Sequence, residues 1–506
     1  MSPIKRTIRS ILRKKSVYIP ISIFALCQCL SSINDSFQSS DEWDENQNEL
    51  DGRKDFKAFI TSSYYYPKSR SLGDNALALV MTINQRWAPK EHPVKQPDVI
   101  IKASNDTSSI VARTKYIKVT PHQVCDMITI FVTVQLLPNV NSLTLFSGNG
   151  SVDIPFKIPP NLHHDVVVCI SPLFISEQWQ NFLFAVHIYK KFGAFMNLYL
   201  ISAVDSFYYL MKEYEKENYL TIQPWVSAKF NGVPTTVADS YNEIEFRNQA
   251  AAQTDCLLKY KETAKYITFL DLDDILIPRL APSYIEEFNL MTRNRKVFLH
   301  YHKENHEIST VNDGEKFSFS KMYRSLKHKR KRETGKIVLD PRTLNYTWIH
   351  WPPIMPEGVE KVIVEDNEIT HLKNIRWLDS FDVSPRMYRS YSGRFKPLEN
   401  ALIDEIEEDW LRMKNKSKVL NQLPKDRFYS RIIDTCYQEK YYKFDEAQNI
   451  NDMGCPGPQL CLYPQREDIK CIHVDATYAD VPELEPISYY YATNPRFSDT
   501  IGCYPH

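Results

Sequence analysis

Between residues 166 and 217 the apolar residues change period three times, and this restricts the fold more than any other feature of the chain. VVVCISPLF (166–174) is a continuous apolar run of strand length, and EQWQNFLFAVHIYKKF (177–192) repeats its apolar residues at helical spacing. MNLYLISA (196–203) is a second strand and SFYYLMKEYEKE (206–217) a second helix. Strands and helices alternating in this order predict a mostly parallel sheet covered by helices. Upstream the pattern differs. From residue 58 to about residue 160, ALALVMTI, DVIIKAS, SIVARTKYIKV, MITIFVTVQLL and SLTLFS are short β-type runs separated by Pro, Asn, Asp and Gly clusters, the pattern of a small β-sandwich. The expected class is α/β, with a β-rich module at 58–160, a strand-and-helix domain at 161–400 and a cysteine-bearing extension at 401–506.

The chemistry gathers at YITFLDLDDILIP (266–278). YITFL is aromatic, β-branched or leucine and uncharged, so it reads as a buried strand. Asp271, Asp273 and Asp274 then fall at its carboxyl end, the edge where open α/β sheets bind ligands. Carboxylates packed this closely repel unless something positive is held between them. Three readings follow. A D-x-D at a strand end can grip a divalent cation that neutralises a sugar-nucleotide diphosphate, and hard oxygen ligands suit manganese or magnesium. An apolar strand followed by D-x-D also describes a haloacid-dehalogenase-type phosphatase, with Asp271 as nucleophile and Asp273 as acid and base. That fold starts with its nucleophile strand, whereas about a hundred residues of strand and helix precede Asp271 here. The third reading is a capped strand end with no ligand. With 13 glycines and neither a G-x-x-x-x-G-K-[ST] nor a G-x-G-x-x-G, the chain has no glycine loop to cradle phosphate. Its 62 basic and 62 acidic residues balance, so nothing global points to nucleic acid.

The amino terminus addresses the chain to a membrane. Lys5, Arg6, Arg9, Arg13, Lys14 and Lys15 precede the apolar run VYIPISIFALCQCLSSI (17–33). By the positive-inside rule this makes residues 1–16 a cytosolic tail and residues 17–33 a signal anchor, with the remainder in the lumen; a cleaved signal peptide ending near Ser31 is the alternative. Residues 34–57 are acidic and polar, as in QSSDEWDENQNELDG, and read as a stem. Eight of ten cysteines lie beyond the anchor, and Cys455, Cys461, Cys471 and Cys503 lack the C-x2-C spacing of a zinc knuckle, so disulfides are expected. Sequons at Asn105, Asn149, Asn345 and Asn415 fit a luminal chain. KHKRKR (327–332) is expected to be a solvated loop.

Four stretches carry a family likeness: AFITSSYYYPKSRSLGDNALALVM, VVVCISPLFISEQWQNFLFAVHIYKKFGAFMNLYLISA, FRNQAAAQTDCLLKYKETAKYITFLDLDDILIPR, and GKIVLDP with ITHLKNI. Together they resemble glycosyltransferase family 92. The resemblance implies a GT-A fold, Mn2+ or Mg2+ dependence, a UDP-sugar donor (usually UDP-galactose), and inversion to a β linkage on a glycan acceptor, for instance fucose or galactose on an N-glycan. It also implies a Golgi membrane enzyme of single-pass type II topology. Where the family pattern has H-Y-R, this chain has His371, Leu372 and Lys373, so a point charge replaces a forked guanidinium.

Site roles follow from the two readings together. Asp271, Asp273 and the late His371 are the metal candidates, with His350 second to His371 and Asp274 an orienting or capping acid. Asn248, Gln249 and Asp255, on the helix before the D-x-D strand, are nucleotide-contact candidates along with Asp271. Glu365 and Asp366 are candidates for the base that deprotonates the acceptor. Trp179, Trp225 and Trp351 either stack on sugars or fill the core. A catalytically inactive, lectin-like member is the non-enzymatic alternative.

Overall fold

Burial along the first strands sorts them into two sheets. In chain order these are β1 (Phe56–Tyr66), β2 (Ala76–Asn84), β3 (Val99–Ser104), β4 (Ser109–Thr114), β5 (Ile117–Lys118), β6 (Met127–Gln135), β7 (Ser142–Ser147) and β8 (Gly150–Ile154). β2 is buried over all but its last residue, so both its faces are covered, whereas β3, β7 and β8 alternate buried with more exposed residues as one-sided strands do. The structure is a computed structural model that describes residues 56–84, 97–121, 125, 127–230, 244–293, 295–381, 396–446, 455, 461, 463–464 and 466–503. The expected tail, anchor and nearly all of the stem lie outside the described residues. Among those described, no helix is long and apolar enough to cross a membrane.

The next segment is β9 (His164–Leu173), α1 (Trp179–Lys191), β10 (Ala194–Leu200), β11 (Ser202–Val204), α2 (Asp205–Lys216), β12 (Leu220–Pro224), α3 (Gln249–Tyr260), β13 (Ala264–Leu270) and β14 (Asp274–Leu276). It continues through α4 (Tyr284–Thr292), β15 (Val297–Val311), α5 (Phe319–Arg324), β16 (Lys327–Leu339), β17 (Glu360–Leu378), α6 (Asn400–Lys416) and α7 (Ser430–Tyr437), and β18 (Lys470–Tyr478) and β19 (Ile487–Ile501) follow. The expected alternation is present: β12, β10, β9 and β13 run parallel. The sheet then extends as β16, β15, β17 and β14, with β16 antiparallel to both its neighbours. One face of this eight-stranded sheet packs on α1, α2, α4, α5 and α6. The other packs on α3, whose Ala250, Ala251 and Ala252 admit close approach to β1 and β2.

KHKRKR is not a loop. It opens β16 inside the sheet, because β15 supplies acids opposite it: Glu307 lies 3.6 Å from Lys327 and also pairs Lys329, and Glu304 pairs His328 and lies 3.0 Å from Arg332. A charge run read by composition alone lacks the cross-strand partners that make it strand-compatible.

The carboxyl-terminal strands do not form a separate appendage. β19 pairs in parallel with β1, and β18 joins it to β11, giving a seven-stranded sheet ordered β11-β18-β19-β1-β2-β6-β5. That sheet and the four-stranded β4-β3-β7-β8 enclose one apolar core containing Leu79, Ile101, Leu145 and Tyr489, so the far end of the chain contributes to the core of the first β-rich segment. The cysteines are paired as Cys125–Cys455, Cys169–Cys256, Cys436–Cys461 and Cys471–Cys503. Deleting residues 467–506 removes β18 and β19 and leaves β1 with an open edge, so the truncated chain is expected to aggregate. Size-exclusion chromatography checks this, and a monodisperse, cooperatively melting product would contradict it.

Candidate active site

β13 ends at Leu270, and the acids that follow make a turn instead of a longer strand. The Asp274 N–H donates to the Asp271 carbonyl at 3.0 Å, and the Leu372 N–H donates to the Asp273 carbonyl at 2.9 Å. β14 then runs antiparallel to β17 with Asp274 opposite His371. Two residues about a hundred positions apart in sequence therefore meet, His371 Nε2 lying 3.4 Å from Asp273 Oδ2. His371 Nδ1 is 2.8 Å from Asn305 Oδ1, and the Asn305 amide donates to Glu333 at 2.7 Å. With the Nδ1 proton committed to Asn305, Nε2 is the nitrogen that faces Asp273, and it offers a lone pair only once the ring has given up its second proton.

The acids are not uncompensated, as their spacing alone suggested. Lys336 Nζ, from β16, lies 2.9 Å from Asp271, and Lys303 Nζ, from β15, lies 3.4 Å from Asp274 and 4.0 Å from Glu333. Lys336 follows Gly335, where a Cβ would collide with the Tyr301 backbone carbonyl of β15, so the glycine permits the close strand approach that aims the lysine. Burial raises the Asp271 pKa, but Lys336 and then Lys303 outweigh it and hold this carboxyl well below the ordinary range. Asp273 is lowered too, burial being outweighed by His371. Asp274 is raised, because burial dominates over Lys303 and neither of its oxygens accepts a hydrogen bond. Burial would depress His371, yet Asp273 and Glu333 lift it to about 9.

The sequence candidates divide. Gln249 Nε2 donates to Asp271 at 2.8 Å and to Ser171 at 2.5 Å, so it orients the D-x-D. Asn248 turns toward the sandwich, accepting from Thr82 at 2.9 Å and Thr129 at 3.2 Å. Asp255 joins a buried tyrosine group, bonded by Tyr199 at 2.5 Å and by Tyr64. His350 bonds the Gly335 carbonyl at 2.9 Å and is kept neutral, burial and then Lys336 pressing its pKa down to about 3. Donor atoms of Asp273, Asp274 and His371 lie within 4.8 Å of one another, so the geometry groups Asp274 with them, while Asp271 is engaged by Lys336 and Gln249. Glu365 and Asp366 are exposed on β17, Glu365 lying 3.8 Å from Arg332. Trp179 and Trp225 are buried in the core, whereas Trp351 is half-buried with its ring 5.1 Å from that of Trp348. Ser171, Lys303, Asn305, Glu333 and Lys336 escaped the sequence reading. The available signal was Lys303 and Asn305 at i and i+2, which places both on one face of a strand.

A second acidic group lies close by. Glu304 meets Glu368 and His328 within 4.8 Å, with Arg332 as counter-charge. Burial and then the Glu304 carboxylate push Glu368 up to about 8. The folded state thus keeps a proton that the unfolded chain releases from about pH 4.5 upward, so this contribution to stability is complete below that pH and is lost as pH rises through 8. Between pH 6 and 8 the melting temperature of the wild type is expected to fall more steeply than that of Glu368→Gln, as differential scanning calorimetry would show.

Residues 164–427 match the family model for glycosyltransferase family 92. A strand-end acid turn with a histidine brought to it is in keeping with an enzyme of that class. The chain is 49% identical over 462 residues to glycosyltransferase family 92 protein C33H5.2 of Caenorhabditis elegans, covering 89% of this chain and 91% of that one. It is 36% identical over 464 residues to the C. elegans family 92 protein ZK381.2, covering 88% and 89%. Among solved structures, S. aureus TarS 1–349 is similar at 8% identity and a TM-score of 0.23 over 57% of this chain and 88% of that one. The chain belongs to glycosyltransferase family 92.

Proposed function

We propose that this glycosyltransferase uses the GT-A-type sheet edge around Asp271 to transfer galactose from UDP-galactose to a glycan acceptor, with inversion to a β linkage and with Mn2+ or Mg2+ bound. The observation that carries the reading is the pairing of Asp273 Oδ2 with His371 Nε2 at 3.4 Å, with Nδ1 of that histidine locked by Asn305. A histidine whose Nδ1 is held by a polar partner, with Nε2 directed at a group of carboxylates, has the outer hydrogen bond that metal-binding histidines use. The charges agree in sign. Asp271, Asp273, Asp274 and Glu333 gather around Lys303, Lys336 and His371, and a divalent cation taking the place of the His371 proton would add counter-charge to this acid-rich group. Asp273, Asp274 and His371 would hold it, and Asp271 would face the nucleotide. A bound cation supplies counter-charge to the departing diphosphate.

The residues of the chain do the rest. Lys336 and Gln249 fix Asp271, Lys303 keeps Asp274 in place, and Asn305 sets the His371 tautomer. In the transfer, the bond from the acceptor oxygen to sugar C1 forms as the bond from C1 to the phosphate oxygen breaks. The electron pair goes to the phosphate, and the acceptor proton goes to a carboxylate. Glu365 and Asp366, both exposed, are the proposed bases. One displacement without an enzyme nucleophile converts an α-linked donor into a β-linked product.

A Golgi membrane enzyme of type II topology is part of the same proposal, supported by the basic leader and by the four disulfides, which form and persist in an oxidising compartment. Asn305→Ala is expected to lower metal affinity or turnover by about 10- to 100-fold with the fold intact, read by Mn2+ titration of UDP release. Asp273→Asn is expected to abolish release. The donor is tested by UDP release from UDP-galactose and the stereochemistry by proton NMR of the product. A small anomeric coupling would exclude inversion. Donor binding without turnover on any glycan would mark a lectin-like protein.

A further inference from the structure

The turn that leads into α3 is strained at three successive residues. Phe246, Arg247 and Asn248 have φ of 43°, 57° and 65° and ψ of 46°, 33° and 31°, a left-handed stretch with no glycine. Runs of this kind persist only where the surroundings force them, and they concentrate at functional sites. The flanking side chains supply the force. Glu245 accepts from Thr120 at 2.6 Å and Trp348 at 3.2 Å, Asn248 accepts from Thr82 and Thr129, and Phe246 packs edge-on against Tyr441 at 5.5 Å. Arg247 has no such tie. Its guanidinium lies 3.9 Å over the Phe174 ring, just past the end of β9, and its Nε is sealed from solvent without a hydrogen-bond partner. No carboxylate among the described residues pairs with it.

The surroundings say where that cation points. The hydroxyl of Tyr437 is also sealed without a partner, and its ring packs against the same cluster as Phe174, over which Arg247 lies. The Tyr437 ring lies 6.2 Å from that of Tyr442, and Lys373 Nζ, two residues after His371 on β17, lies 5.6 Å over the Tyr442 ring. Two residues after Arg247, Gln249 holds Asp271. The strained turn therefore sets an unpaired guanidinium two residues before the glutamine that holds Asp271, with an unpaired phenol in the aromatic group that leads to Lys373.

We infer that Arg247, with Tyr437 beside it, binds a phosphate oxygen of the donor diphosphate. The assignment rests on the nucleotide-sugar reading and adds to it a cation that is not one of the metal candidates. A guanidinium presents forked donors matched to phosphate and stays charged at any working pH. As the sugar leaves, the diphosphate gains negative charge, which a fixed cation stabilises without reorganising.

The test is equilibrium binding of UDP and of uridine to the full-length protein in detergent with Mn2+. Arg247→Ala is expected to weaken UDP binding by about tenfold or more while leaving uridine binding unchanged, the loss of one charge-assisted contact. Arg247→Lys is expected to fall between wild type and Arg247→Ala, and Tyr437→Phe to show a smaller loss. If Arg247→Ala does not fold, Arg247→Lys decides alone, because it keeps the charge and loses the fork. Unchanged UDP affinity in a folded variant overturns the inference, as does a variant that raises only the acceptor KM, which would place the guanidinium on an anionic acceptor group. Wild type that binds no UDP sinks the nucleotide-sugar reading itself, an outcome distinct from wild type and Arg247→Ala binding UDP equally.

Discussion

Two buried ammonium groups make the acid turn tolerable. Lys336, whose side chain is 1% exposed, and Lys303 are placed against Asp271 and Asp274, and without them three closely spaced aspartates in a half-buried turn would repel one another, with Asp274 fully buried and uncompensated. The lysines do not reach out from the surface. They project from β15 and β16, interior strands of the eight-stranded sheet, so their positions are set by strand register. Geometry and charge are thereby one constraint. A displacement of β16 against β15 would move an ammonium from its carboxylate and leave a buried charge unpaired, which is far more damaging than losing an exposed ion pair.

The same register brings His371 to the turn. The pairing of β15 with β17 is interrupted between Tyr301 and Lys303, where β17 advances from Val364 to Ile369 against two residues of β15. The additional residues bulge, and Asn367 anchors them by donating to the Ile277 carbonyl and to Glu287, each at 2.9 Å. Beyond the bulge, Asn305 stands beside His371 and Asp274 lies opposite it. A bulge that re-aims the strand next to a site is a recurrent device of sheets. Glu365 and Asp366 occupy that bulge, which accounts for their exposure.

Periodicity made the alternating strands and helices legible, because the length and spacing of apolar runs are local properties. The carboxyl-end position of Asp271 followed from the same reasoning, and a polar partner for it on the helix before it followed in Gln249. What stayed hidden was non-local. Lys303 and Lys336 look like ordinary surface lysines in sequence, since only the strand pairing shows that they are buried. KHKRKR looked like a loop for the same reason, its counter-charges lying on β15. Asp255 sits six residues beyond Gln249 on α3, and a helical turn of 3.6 residues carries it off the face that meets Asp271 and into the tyrosine group. Helical spacing alone was enough to raise that conflict, but the location of the receiving tyrosines was not readable.

The family match ends at residue 427, yet the fold does not end there. α7 and the π-helical segment after it (Gln438–Tyr442) carry Tyr437 beside Phe174, Tyr441 against Phe246 and Tyr442 under Lys373, and Cys436 is bonded to Cys461 just beyond. Further on, Cys455 is bonded to Cys125 in the sandwich, and β19 supplies the strand that β1 needs. A segment held at both ends by covalent bonds and a shared sheet keeps little freedom. Its aromatic face can therefore serve as a fixed wall of the site. Differences within that segment among family members would then alter what the site admits while leaving the D-x-D, its lysines and its histidine unchanged, since those are held by the central sheet and not by the wall.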